Sequence, residues 1–286
     1  MQNIQIPESR AVIGRRGPSA IVVLAGAVGV LSFLYPFFLP LVFGRGVEAA
    51  ANHDAAAPLI FAAITAVSLL TIVTELGDVR LASAKMVALL GVLVAIDATL
   101  RLVPTFLGAS PIFLLIVLVG FVFGPSLGFQ MGALTLLLSA FLTGGLGPWV
   151  PYQMLGAGWM GMTAGWLPRP VSSRRQLLVL ATFSAVWGLL YGVLLSLTVW
   201  PFTAPGLEMA PGLAWSPGLS AGEALHRYAR FYLISSLGYD AFRAVGNAML
   251  ILALGGPLLR VLERFRARFS WEPWEYEGAR GITPER

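Results

Sequence analysis

Residues 144–168 read GGLGPWVPYQMLGAGWMGMTAGWLP. Seven of these 25 positions are Gly, three are Trp, three are Pro and none is charged. In water a helix would not survive this composition, because each interior Gly costs about 1 kcal/mol relative to Ala. In lipid the same residues become useful, since small side chains let helix backbones approach closely. Ala157, Gly161 and Gly165 recur at four-residue spacing, which leaves one helix face smooth. The stretch therefore reads as a membrane-embedded helix pressed against a neighbour, preceded by a glycine loop.

The rest of the chain agrees. Of its 286 residues 57% are hydrophobic and 12% charged, with a mean hydropathy of +0.79; soluble domains carry about twice that charge. Runs of roughly 20 apolar residues, enough for a helix to cross a bilayer, recur along its length. The fold class expected is all-α: a polytopic membrane helix bundle. Eight spans are read at about 19–43, 57–75, 84–103, 110–124, 126–143, 149–167, 176–200 and 230–258. The first is expected to be a span rather than a cleaved leader, being too long for a signal-peptide core.

Charge sets the orientation. With the N-terminus inside, 14 Lys and Arg fall in cytoplasmic segments, and four (Arg45, Arg101, Arg227 and Arg230) fall at or near the outer surface. This excess on one side follows the positive-inside rule and puts both termini in the cytoplasm. The net charge of +5 is accounted for by short loops and tails, which gives no reason to expect a nucleic-acid partner. The chain divides into a basic tail (1–18), two N-terminal spans (19–80), a six-helix core (81–260) and a C-terminal tail (261–286). The Pro- and Gly-rich segment 201–229 lies outside and reads as either a lid or a flexible connector.

Ionisable side chains at membrane depth are costly and normally face a protein interior. Asp97 and Arg101 are i, i+4 neighbours on the third span, and Asp240, Arg243 and Asn247 fall within about 60° of one another on the last. Two readings stand side by side: ion pairs that lock helices together, or the polar floor of a pocket open to the outside. The loop 144–148 delivers Trp149, Tyr152 and Gln153 to the start of a span, where an amide among aromatics suits a ring-rich ligand, although Trp and Tyr also gather at membrane interfaces. On the third span Ala84, Ala88, Gly91, Ala95 and Ala98 form a small-residue stripe about 80° wide, roughly 100–140° from Asp97 and Arg101.

Absent motifs narrow the function. No G-x-x-x-x-G-K-[ST] occurs, and the single lysine, Lys85, follows an alanine, so a P-loop ATPase is excluded. His53 and His226 stand alone and cysteine is absent; no metal site, cofactor or catalytic grouping is expected, and the chain is not expected to be an enzyme.

Taken together, AKMVALLGVLVAIDATLRLVP (84–104), VFGPSLGF (122–129), the stretch 144–168 and YDAFRAVGNAMLILALGGPLLRVLERFRAR (239–268) resemble the substrate-binding S components of energy-coupling factor (ECF) vitamin transporters. The resemblance covers about 185 residues and implies a six-helix core in the cell membrane. It implies high-affinity capture of a vitamin-type small molecule from outside, and no ATP hydrolysis by the chain itself. The implied partners are a transmembrane coupling protein and two cytosolic ATPases. The residues themselves, read from depth, spacing and the aromatic loop, make Asp97, Arg101, Trp149, Tyr152, Gln153, Asp240, Arg243 and Asn247 the expected substrate-binding set. The family's alanine motif, which meets the coupling protein, maps onto Ala84 and Ala88 and continues through Gly91 and Ala95. The string GPW-x-P-x-Q-M is most similar to members associated with cobalamin or its precursors. Lys85 departs from the alanine motif, and the two extra N-terminal spans, with their Ala62-x-x-x-Ala66, depart from the six-helix plan. The rival reading is a self-sufficient ion-coupled carrier, for which repeated halves and broken helices are the usual sign; no convincing internal repeat is found.

Overall fold

The computed structural model describes residues 20–43, 84–103, 110–147, 149–200, 212–216 and 219–269, together with Leu59, Ala62, Ala63, Ala66, Leu69 and Leu70. Among these residues every regular element is a helix: α1 (Ala20–Phe43), α2 (Ala84–Leu100), α3 (Ile112–Phe123), α4 (Pro125–Leu142), α5 (Val150–Ala164), α6 (Ser173–Val199), α7 (Ala221–Ser235) and α8 (Leu237–Phe269). The molecule is a polytopic helix bundle. Helices α4, α6 and α8 are each long and apolar enough to cross a membrane alone. Most of the span read at 57–75, the tail 1–18 and residues 270–286 lie outside the described residues; the six described positions of that span are helical.

Helix α3 is the centre. Its sequence IFLLIVLVGFVF has no polar side, and every residue from Ile112 to Val122 is buried, as expected of a helix that is apolar all round. It packs against α2, α4, α5, α6 and α8. At 12 residues it rises only about 18 Å. Gly124 (φ 104°) ends it in the left-handed region that favours glycine, and Pro125 starts α4 at once, where a missing N–H costs nothing. Arg169 closes the junction from the cytoplasmic side. Its Nη2 donates to the carbonyls of Phe121 and Val122, carbonyls that the helix end leaves without partners, while the guanidinium sits 5.3 Å from the Phe121 ring centroid.

Gly161 of the opening stretch lies where three helices touch backbone to backbone. A methyl group at Gly161 of α5 would fall 2.0 Å from the Gly128 carbonyl oxygen of α4, and one at Gly120 of α3 would fall 1.9 Å from that of Gly161. Gly132 stands 2.2 Å, by the same measure, from the Ala157 carbonyl. No side chain fits, which is why the sequence spends glycine here.

α1 is not a loose addition. Gly26, Gly29, Phe33 and Phe37 lie along one side of it, and Phe33 is buried against Tyr152 and Trp159, ring centroids 5.1 and 5.4 Å away. A methyl group at Gly29 would collide with the Trp159 ring.

The last span differs from its sequence reading. Instead of one helix from residue 230, α7 runs from Ala221 to Ser235 and a separate α8 begins at Leu237. Ser220 and Glu223 form a capping box at the start of α7: the Ser220 amide donates to Glu223 Oε2 (2.9 Å) and the Glu223 amide to Ser220 Oγ (3.3 Å). α7 carries Glu223, His226, Arg227 and Arg230 on a side away from its buried Ala224 and Tyr228, an amphipathic pattern unlike that of the spans. Tyr228 donates its hydroxyl to the Val193 carbonyl and packs 5.4 Å from the Trp200 ring. Trp200 Nε1 in turn donates to Leu213 O (2.8 Å), and Arg227 to Ala214 O (3.3 Å). The described part of the outer segment is thus pinned to α6 and α7. α8 spans 33 residues, about 50 Å, and so carries Arg260, Arg264 and Arg266 beyond a hydrocarbon core of about 30 Å.

Candidate functional site

Two polar seams run through the outer half of the bundle. In the first, α2 and α4 cross the membrane in the same direction, and their i, i+4 pairs meet in register. Thr135 Oγ1 donates to Asp97 Oδ2 (3.0 Å); one turn outward, Arg101 Nη1 donates to Ser139 Oγ (3.1 Å). The same nitrogen reaches Gln153 Oε1 of α5 at 3.5 Å, the long limit of a hydrogen bond. Asp97 is fully buried and its Oδ1 has no partner among the described residues. Although their spacing allows it, Asp97 and Arg101 do not pair; each turns to a hydroxyl of α4 instead.

In the second seam α6 and α8 run antiparallel and small residues of α6 face polar residues of α8, turn by turn. Ser196 Oγ donates to Ser236 Oγ (3.0 Å). Next, a methyl group at Gly192 would overlap the Asp240 carboxylate. Then Arg243 Nη1 donates to Gly188 O (3.4 Å), and Asn247 Nδ2 to Ser184 O (3.4 Å). Arg243 and Asp240 form an ion pair of 2.6 Å, and the guanidinium is flanked by the rings of Tyr239 (5.2 Å) and Tyr191 (5.5 Å). Of the two ion pairs that the spacing allows, only this one forms.

Asp97 and Asp240 therefore point into different seams, with α3 packed against both α2 and α8. What connects the seams is Tyr191 of α6. It is buried, meets Phe113 of α3 edge-on at 5.0 Å, and lies within electrostatic reach of both Arg243 and Arg101. Ser139, Thr135 and Tyr191 were not singled out from sequence, though T-x-x-x-S on α4 repeats the spacing of Asp97 and Arg101.

Two aromatic candidates lie elsewhere. Trp149 is 48% exposed and folds back on its own loop, its Nε1 donating to Gly145 O (3.1 Å). Tyr152 turns its ring to Phe33 of α1. The small-residue stripe of α2 divides: Ala98 is buried, whereas Ala84, Ala88, Gly91 and Ala95 are exposed, and a methyl group at Gly91 would meet nothing within 4 Å. Ala62 and Ala66 are exposed as well. Among the described residues no group of three metal-ligating side chains occurs. Leu167, Leu178, Val179, Thr182, Phe183 and Val186 line an open apolar groove of about 450 Å³ toward the cytoplasmic end of α6, away from both seams.

Compared with models of protein families, residues 85–255 match the family described as ECF transporter, substrate-specific component, a match over more than half of the chain. It takes in both polar seams and leaves out α1. No curated protein matches, and no solved structure does.

Proposed function

The chain belongs to the ECF transporter substrate-specific component family, and from that premise we propose that it captures a vitamin-type micronutrient from outside the cell. A separate transmembrane coupling protein and two cytosolic ATPases would drive its uptake. The observation that carries this reading is the polar cluster of Asp97, Arg101, Thr135, Ser139 and Gln153 toward the outer end of a bundle whose centre is wholly apolar. Ionisable groups at such depth mark solute sites more often than structural accidents. Arg101 and Gln153 stand nearest the outer surface and would contact the solute; Tyr191 and Arg243 supply a wall; Asp97, Asp240 and Asn247 hold the helices in place behind them. The chain has no P-loop motif, so ATP-driven uptake would draw its energy from the partner ATPases. The exposed Ala84, Ala88, Gly91 and Ala95 offer that partner a surface for close helix contact. Nothing in this arrangement calls for catalysis or a cofactor, and cobalamin or a related corrinoid is the leading candidate solute on the strength of GPWVPYQM (147–154).

The test is identification of the cargo. Protein purified in mild detergent from cells grown on complex medium should release a single vitamin or vitamin precursor in stoichiometric amount, read by mass spectrometry. Repeated recovery of no small molecule, with no member of a vitamin panel raising the melting temperature, would contradict the proposal.

A further inference from the structure

The arginines of the outer half differ in what they bond. Arg243 is neutralised by Asp240 at 2.6 Å. Arg227 donates to the Ala214 carbonyl on the outer surface, and Arg230 is exposed there. Among the described arginines of the outer half, Arg101 alone is turned inward with only neutral partners among the described residues, the Ser139 hydroxyl at 3.1 Å and the Gln153 amide oxygen at 3.5 Å. Both bonds use one nitrogen, Nη1. A guanidinium presents five N–H donors in a flat fork. Nε and Nη2 of Arg101 bond no described residue, and the side chain is half-buried rather than sealed. Asp97, one turn deeper, takes its hydrogen bond from Thr135 and gives Arg101 no counter-charge.

A cation drawn partly out of water against neutral groups loses hydration that hydroxyl and amide contacts return only in part. A carboxylate or phosphate answers the free edge with two parallel, charge-assisted bonds. We propose that Arg101 determines specificity by taking an anionic oxygen of the solute, a carboxylate or a phosphodiester; this rests on the substrate-binding role proposed above. The 3.5 Å contact to Gln153 is the weakest bond in the cluster, so the amide is free to turn and donate to the same oxygen. Arg101 thereby sets the sign of the charge the cargo carries, while the ion-paired Arg243 sets none.

A competition panel tests this with acids against their uncharged amides or esters, biotin against biotin amide first, and with cobalamin against a phosphotriester analogue that keeps the nucleotide loop and loses only the phosphodiester charge. The recognised anionic member should bind the wild-type protein about 10- to 100-fold more tightly than its partner, the range set by a charge-assisted hydrogen bond. Arg101→Gln should bring the affinity for the anionic member down to that for its neutral partner, Arg101→Lys should restore part of the difference, and Arg230→Gln should leave it as in wild type. If Arg101→Gln fails to fold, Arg101→Lys decides in its place: it should narrow the difference within each pair, and an unchanged difference would overturn the proposal. Equal binding of both members, or unchanged binding of the anion by Arg101→Gln, would overturn the proposal. So would an Arg101→Gln protein that loses only co-purified phospholipid, since Arg101 would then hold a lipid headgroup. A wild-type protein that binds no panel member, and carries no cargo from cells, would instead sink the substrate-binding role itself.

Discussion

Replacing Ala88 or Gly91 with Leu should abolish uptake by the assembled transporter and leave the isolated protein intact. Both positions are exposed, and Gly91 has open space where a side chain would begin. At Gly91 the first added atom meets nothing within 4 Å among the described residues, so folding, melting temperature and ligand binding should match wild type. If the stripe is the docking surface proposed above, the same side chain would stand in the assembled transporter where a partner backbone approaches. Helix association in lipid rests on close packing rather than on hydrophobic drive, so an added isobutyl group has no compensating gain. A loss of 1.4 kcal/mol in docking is a factor of ten in affinity, and vesicle uptake should fall by at least about that factor. Unchanged uptake would place the docking surface elsewhere, with the exposed Ala62 and Ala66 the next pair to alter. A parallel fall in stability and ligand binding would mean that the stripe packs within the chain.

The opposite outcome is expected one seam away. Gly161→Leu should destroy the fold, because the first added atom alone would lie 2.0 Å from the Gly128 carbonyl oxygen. The obstacle is backbone, which has no rotamer to adopt. Overpacking costs about 1–3 kcal/mol where side chains are able to move, and here α3, α4 and α5 would all have to separate. Folded protein recovered in detergent should drop below detection, or its melting temperature should fall by more than in any other variant described above. A Gly161→Leu protein that melts like wild type would refute the account of the glycine-rich stretch. Set beside Gly91→Leu, the pair would separate two uses of glycine in membrane helices, one that admits a second backbone of the same chain and one that leaves a surface open.

Much of the bundle was legible in the sequence because hydropathy and glycine spacing report directly on lipid burial and backbone contact. The ends of α2, α4 and α6 fall within a few residues of the sequence reading. The division between α7 and α8 was missed. Residues 230–235 are apolar enough to extend a span by composition, and the signal against this was Ser220-x-x-Glu223, a capping box that starts a helix too early to be the last span. The seams were read from one side only. Asp97, Arg101, Asp240 and Arg243 announce themselves by charge, whereas their partners are hydroxyls and glycines that look like ordinary membrane packing. Ser184, Gly188, Gly192 and Ser196 repeat every four residues and are the surface that receives Asp240, Arg243 and Asn247. Spacing along one helix says which side chains share a face; it does not say whether they bond each other or the helix opposite, and Asp97 and Arg101 chose the opposite helix. Trp149 and Tyr152 show the same limit. Their turn of helix was placed correctly, but Tyr152 was claimed by Phe33 of α1, a helix that the core motif says nothing about.

Transport measured in sealed proteoliposomes tests the central claim most directly. Reconstituted alone, the protein should bind its solute at the outer face and accumulate none inside, with or without an imposed proton or sodium gradient. Co-reconstituted with the coupling protein and ATPases, it should concentrate the solute in an ATP-dependent manner. Concentrative uptake by the protein alone, abolished by a protonophore, would contradict the account and identify an ion-coupled carrier instead.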